Sequence, residues 1–325
     1  MEEQIYFTRY RFSLQALEEL DLPEYIGSTL RGGFGHVFRR IACPARKGEE
    51  CPIPQQCPYH LIFETAPPPD APALRNLEDI PRPFVIAPPP ASERRTYRPG
   101  ETLNFHLTLI GKACDFFPYF VVAFKELGAV GLGRGRGLFR LQQIEVEYPL
   151  AGQAEPVYSV EDEMVRNVQM RVSLKDCCAY AFSPLWSQHS ALPISFLTPV
   201  RLKREGQFVD LPEFHIVFRT LLRRLSSLAI FHCGVKLDID YRGLIAEAEK
   251  VKLIQNGTAW HDWQRYSSRQ REKMFFGGLV GEAVYEGDLC PFLPYLLFGQ
   301  WTHVGKNATF GLGAYRIGNG AVGES

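Results

Sequence analysis

Two stretches of this 325-residue chain repeat one device: an apolar helical segment, a basic turn crowded with glycine, then a strand. The first turn is Gly131-Leu132-Gly133-Arg134-Gly135-Arg136-Gly137, between a helix expected over Asp115 to Gly128 and a strand running through Val146. The second is His303 to Gly313, between a short apolar helix over Pro291 to Trp301 and a strand over 309–317. Glycine allows backbone conformations and close approaches that other residues resist. Successive N–H groups beside a fixed positive charge suit an anion. Glycine before a strand is also ordinary turn punctuation. Two such turns, placed alike near the end of each half, point to a duplicated domain that handles phosphates.

The rest of the pattern supports duplication. Residues 4–14 alternate as a strand, with Tyr6, Tyr10 and Phe12 on one face. A helical pattern over Glu24 to Arg40 contains Gly27, Gly32, Gly33 and Gly35, each costing about 1 kcal/mol relative to Ala. That cost makes sense where another backbone or a ligand comes close. A cysteine- and proline-rich loop from Cys43 to Pro58, a short strand near His60 to Glu64, and an extended proline-rich excursion over 66–99 are expected next. Strand 101–111 follows, with Leu103, Phe105, Leu107 and Leu109 on one face.

After a polar linker near 152–159, strands are expected at 168–174 and 194–202, an amphipathic helix at 212–232, and strands over 250–263 and 274–286. Each half approximates β-α-β-β-α-β, the ferredoxin-like order. The expectation is an α+β protein of two tandem ferredoxin-like domains, 1–155 with the cysteine/proline-rich insertion and 156–325 with the terminal glycine loop.

Composition narrows the function. An apolar fraction of 46% with 13% aromatics fits a folded protein. No apolar run approaches the roughly 20 residues that cross a bilayer, and Glu2 and Glu3 do not suit a signal peptide, so a cytoplasmic location without a membrane partner is expected. Thirty-six basic residues balance 36 acidic ones, so net charge gives no support for a nucleic-acid partner. Distribution matters more. Basic clusters at Arg31, Arg39 and Arg40, at Arg134, Arg136 and Arg140, at Arg201, Lys203 and Arg204, and at Arg265, Arg269, Arg271 and Lys273 lie beside glycine or aromatic residues. A solvated face explains any one of them; four together favour a polyanion.

Leu30-Arg31-Gly32-Gly33-Phe34-Gly35, Cys57-Pro58-Tyr59, Arg82 to Ile86, Leu197 to Lys203, Arg265 to Gln270 and Gly305 to Gly313, in that order, resemble segments of the CRISPR repeat-processing endoribonucleases of the RAMP superfamily. The first is similar to the opening of that family's first helix. Cys57-Pro58-Tyr59 with Phe63-Glu64, and Arg82-Pro83-Phe84-Val85-Ile86, resemble its middle segment. Leu197-Thr198-Pro199-Val200-Arg201-Leu202-Lys203 and Arg265-Tyr266-Ser267-Ser268-Arg269-Gln270 resemble second-domain signatures, and Gly305 to Gly313 the family's glycine-rich loop.

The resemblance implies RRM-like ferredoxin domains, an RNA groove between or across them, and an antiviral-defence role with CRISPR repeat RNA, not DNA, as substrate. It also implies cleavage by the substrate's 2′-hydroxyl without a metal cofactor. The alternative within the superfamily is a non-catalytic RNA-binding subunit among other CRISPR effector subunits.

On that resemblance His36 is the candidate acid or base, since histidine titrates near neutrality. Arg39 and Arg40 follow it at helical spacing. A helix-packing histidine is the alternative. Tyr25 is a second proton-carrier candidate, or a core tyrosine. Arg31, Arg39, Arg40, Arg134, Arg136, Arg265, Arg269 and Lys306 are candidate RNA contacts. Gly305, Gly311 and Gly313 are the loop positions that would approach phosphate, and His303 is structural or RNA-contacting. Trp263 and Tyr266 are candidate stacking aromatics.

Cys43, Cys51 and Cys57 form C-x7-C-x5-C, each followed by proline. They suggest zinc or an iron–sulfur cluster, with His60 or Cys290 as fourth ligand. Three unrelated loop thiols are the alternative. A metallo-domain centred on this loop is a third functional reading.

Overall fold

The computed structural model describes residues 4–46, 48–65, 80–90, 95–183, 191–262, 264–267, 272–275 and 277–318. Over these residues the chain divides into two units, the first comprising residues up to 172 together with 227–235 and the second the remainder.

In the first unit, β1 (Tyr6–Ala16) leads to α1 (Ile26–Ala42) and α2 (Pro58–Phe63), then β2 (Phe84–Ala87), β3 (Thr102–Ile110), α3 (Phe117–Val130), β4 (Phe139–Tyr148) and β5 (Gln153–Ser159). The strands form an antiparallel sheet in the order β2-β3-β1-β4-β5. Alternation sets its buried face: Tyr10, Phe12 and Leu14 of β1 align with Leu103, Phe105 and Leu107 of β3. Phe12 sits opposite Phe105 with ring centroids 5.0 Å apart.

Helices cover that face through one residue above all. Phe34 of α1 stacks on Phe120 and Phe124 of α3, both at 5.0 Å, and meets Phe63 of α2 at 5.5 Å and Phe84 of β2 at 6.2 Å.

The second unit contains α4 (Leu174–Ala181), β6 (Ala191–Val200), α5 (Phe214–Leu228), α6 (Tyr241–Ala248), β7 (Lys252–Asn256), β8 (Gly278–Glu286), α7 (Leu293–Thr302) and β9 (Tyr315–Ile317). Its sheet order is β7-β8-β6-β9. Numbered by position in the β-α-β-β-α-β run, both sheets read 4-1-3-2, so the expected duplication is present in the topology. In each unit the glycine-rich turn joins the second helix of that run to its last strand.

The structure corrects several local expectations. Residues 58–63 are a helix, not a strand: Pro58 occupies the first turn, where its missing N–H costs nothing, and Tyr59, Ile62 and Phe63 bury one face. The supposed linker over 152–159 is the edge strand β5, which pairs with β4 and buries Val157 and Tyr158. The first unit therefore runs to 172, past the expected boundary at 155. Within the proline-rich excursion, Phe84, Val85 and Ile86 are fully buried and form β2; Pro67-Pro68-Pro69 lies outside the described residues. The expected strand over 309–317 shortens to β9, because residues 308–310 form a single 3-10 turn.

Gly33 and Gly35 explain half of the glycine cost in α1. A side chain at Gly33 would press on Leu127 of α3, and one at Gly35 on the Phe63 ring. Both serve helix packing.

The Phe34 cluster yields the first prediction. Phe34→Ala should lower stability by about 3–5 kcal/mol, read as a shifted urea midpoint. A loss below ~1 kcal/mol would show that α1 does not depend on this ring.

Candidate functional site

His36 lies on the exposed side of α1. Helical spacing puts Thr29, Gly32 and Gly33 in the turns before it and Arg40 in the turn after, so the backbone beside the imidazole carries little side-chain bulk. The Arg40 guanidinium is 3.0 Å from the carboxylate of Glu126 on α3, with both side chains about half exposed. Arg31 and Arg39 turn toward α2. The guanidinium of Arg31 is 5.1 Å from the Phe63 ring centre and that of Arg39 is 5.4 Å from Tyr59, so both side chains pack on aromatic faces.

Tyr25 precedes the first turn of α1. Burial pushes its hydroxyl far above the ordinary tyrosine range, which keeps it protonated at neutral pH. Eleven residues of helix separate it from His36 by about 16 Å along the axis.

The first glycine-rich turn docks where the chain enters α1. Arg134 N–H donates to Asp21 C=O at 2.7 Å, and Leu132 N–H to Gly137 C=O at 2.9 Å. Gly133 has φ +78°, and a Cβ there would strike the Asp21 carbonyl. Its glycines thus let one backbone lie against another. The side chains of Arg134 and Arg136 remain exposed, and Leu132 reaches Gly33, one turn before His36. Long-range packing therefore seats this basic turn against α1 one helical turn before His36. By contrast, the sheet positions of Arg9 and Arg11 are neutralised: Arg9 lies 3.1 Å from Glu147, which also lies 3.4 Å from His106, and Arg11 pairs with Glu145.

In the second unit, the terminal turn is closed by its own bonds. His303 is 3% exposed, and its Nδ1 lies 3.0 Å from Leu312 C=O. Gly311 N–H donates to Ala308 C=O at 2.8 Å and Gly313 N–H to Pro199 C=O at 3.2 Å. A Cβ on Gly313 would overlap the Val304 carbonyl. The His303 ring and the N–H groups of Gly311 and Gly313 are thus engaged within the protein. Lys306 is exposed at the tip, with Gly305 half-buried beside it. Arg224 secures the base of the turn by donating to Thr302 C=O at 3.0 Å.

One feature of this unit was not singled out from sequence. Phe208 is 41% exposed, with the Arg201 guanidinium 4.6 Å and the Lys203 ammonium 4.8 Å from its ring centre and Trp260 at 5.7 Å. An exposed ring beside basic side chains suits a nucleic-acid base. The basic run at 201–204 was its only visible signal. Arg265 and Tyr266 lie on the strand Gln264–Ser267, paired with Glu272–Phe275; Trp263 and Arg269 lie outside the described residues.

Back in the first unit, Cys43, Cys51, Cys57 and His60 each bring a ligand atom to within 4.8 Å of the others. Cys290, the alternative fourth ligand, is exposed and belongs to the second unit. Burial, with the neighbouring Cys43 and Cys51 thiols, pushes the Cys57 thiol up to about 11.

Comparison with known proteins places the fold. Residues 5–170, just over half of the chain, match AF_1859_N, the model of an N-terminal domain. Residues 194–315 match the CRISPR-associated endoribonuclease Cas6. The chain belongs to the Cas6-like proteins of the RAMP fold.

An uncharacterized protein of Archaeoglobus fulgidus is 23% identical over 333 residues, spanning 98% of this chain and 96% of that one. A product complex of a Thermus thermophilus Cas6 has TM-score 0.58 at 18% identity, over 96% of this chain and 99% of that one. A partial Cas6-RT-Cas1--Cas2 complex contains a chain with TM-score 0.59 at 12% identity, covering 98% of this chain and 47% of that one. At these identities the structural likeness is one of fold. Among the described residues of this Cas6-like chain, no helix is long and apolar enough to cross a membrane.

The exposed groups of this Cas6-like chain can be tested by RNA binding. In repeat-RNA titrations across salt, Arg134→Ala with Arg136→Ala should flatten the log–log salt slope by about 1.4, at about 0.7 for each phosphate contact on a single strand. An unchanged slope would remove this turn from the interface. Phe208→Ala should weaken the same RNA by about 1–3 kcal/mol while leaving the urea midpoint unmoved. Unchanged affinity would make Phe208 a structural ring.

Proposed function

We propose that this chain is an endoribonuclease that cuts precursor CRISPR RNA within its repeats, using the 2′-hydroxyl of the substrate as nucleophile. The observation that supports this most is the exposed imidazole of His36 on the sparsely covered side of α1, beside the turn bearing Arg134 and Arg136. Membership among Cas6-like proteins supplies the reaction class.

In the proposed reaction a base takes the proton from the 2′-oxygen, which attacks the adjacent phosphorus as the bond to the 5′-oxygen breaks. An acid protonates that leaving oxygen. The products are a 2′,3′-cyclic phosphate and a 5′-hydroxyl. The nucleophile belongs to the RNA, so the step balances without water or a metal ion. His36 carries one of the two proton transfers. Arg40, Arg134 and Arg136 offset the charge that builds on the phosphate oxygens.

One observation supports a second reading, a non-catalytic RNA-binding subunit. Desolvation raises the Tyr25 hydroxyl well above the ordinary tyrosine range, which disfavours it as a base. The solved Cas6-RT-Cas1--Cas2 complex is a precedent for partner subunits within this fold.

His36→Ala should slow cleavage of a labelled repeat by about 10²–10⁴-fold while repeat affinity stays unchanged. The wild-type reaction should persist in EDTA and stop when the nucleotide before the cut lacks its 2′-hydroxyl. Undiminished cleavage by the variant would take His36 out of the mechanism. Tight binding by the wild-type protein with no cut would establish the scaffold reading.

A further inference from the structure

The loop between α1 and α2 gathers chemistry that RNA cleavage leaves unused. Cys43 is the residue that ends α1, and Cys57 the residue that begins α2. Cys51 lies midway between them, and His60 sits on the first turn of α2. Short turns draw the loop in: Glu49 N–H donates to Arg46 C=O at 3.1 Å, and Cys57 N–H to Ile53 C=O at 2.9 Å. The Cys57 thiol lies 3.6 Å from Ala42 C=O, so the two helix ends already touch. Three thiols and an imidazole therefore converge, with all four ligand atoms within 4.8 Å of one another.

We propose that Cys43, Cys51, Cys57 and His60 bind one zinc ion in a tetrahedral site of three sulfurs and one nitrogen that pins the end of α1 to the start of α2. Zinc–sulfur bonds of about 2.3 Å place tetrahedral thiolates roughly 3.8 Å apart, inside the observed limit. A cluster divides its ligands among separate irons and holds them farther apart, so the compact group selects a single ion. The soft, sulfur-rich donor set of three thiols and an imidazole selects zinc among the common divalent metals.

Glu64 completes the arrangement from one turn further along. Its carboxylate lies 3.6 Å from His60 Nδ1, which leaves Nε2 to face the metal. A carboxylate on the remote ring nitrogen orients a ligating histidine and raises its basicity. On binding, the three thiols release their protons to solvent, and three thiolates on a divalent ion leave one net negative charge. The Arg39 guanidinium lies over Tyr59, the neighbour of His60, and supplies positive charge on that side.

The consequence is mechanical. α2 packs its Phe63 ring on Phe34 and Phe38, so a metal at its start fixes the support beneath the His36-bearing helix.

Metal content tests this independently of cleavage. Full-length protein purified without chelators should carry about one zinc per chain by elemental analysis, and so should Cys290→Ser. Cys51→Ser, changed in the loop and outside both helices, should retain at least ~10-fold less zinc. Glu64→Gln should bind zinc roughly tenfold more weakly. Cobalt added to metal-stripped wild-type protein should give the thiolate charge-transfer and ligand-field bands of a tetrahedral centre with three thiolates and one imidazole. Absence of zinc together with absence of those bands would overturn the proposal. So would an iron–sulfur chromophore, or full zinc retention by Cys51→Ser.

Discussion

The first unit depends on how one ring is packed. Phe34 stacks between α1 and α3 and reaches α2 and β2, so four elements meet on a single side chain. Its position on α1 also settles what faces outward. Two residues further along the helix, His36 is turned some 200° away and meets solvent because Phe34 is buried. The functional face of α1 is thus the complement of its core face, and the fit of Phe34 holds both.

Glycine is the second constraint, and it acts through backbone proximity. Both glycine-rich turns look in sequence like phosphate cradles. In the structure, Gly133 lets the first turn lie on the carbonyl of Asp21, and Gly313 lets the terminal turn fold under Val304. The N–H groups of Arg134, Gly311 and Gly313 go to protein carbonyls. What remains outward is side-chain chemistry, at Arg134, Arg136 and Lys306. The turns present charge to a ligand, while most of their glycine chemistry serves chain against chain.

Much of the architecture was legible from short-range pattern. The alternation of Leu103 to Leu109 and the order of elements in each half led to the two ferredoxin-like sheets. Misreadings fell where a local signal is weak. Tyr59, Ile62 and Phe63 span too few residues to separate a helical period from a strand. The polar sequence of β5 reads as a linker because one edge strand needs few apolar residues. Within the candidate site, His36 and the three loop cysteines were visible as residue types. The burial of His303, a polar residue whose ring meets the Leu312 carbonyl across the terminal turn, was visible only as one alternative.

The sequence by itself determined the periodic elements, their duplicated order, and the presence of histidine, basic turns and a three-cysteine loop, because these follow from spacing within a few residues. Only the tertiary structure decided that His60 joins the thiols while Cys290 lies in the other unit, and that desolvation raises the Tyr25 hydroxyl. It alone placed the basic turn against α1 and Phe208 beside two cations. Those outcomes turn on which groups the folded backbone brings together, across a short hairpin for Phe208 and between distant segments for the basic turn, and that placement exists only once the chain has folded.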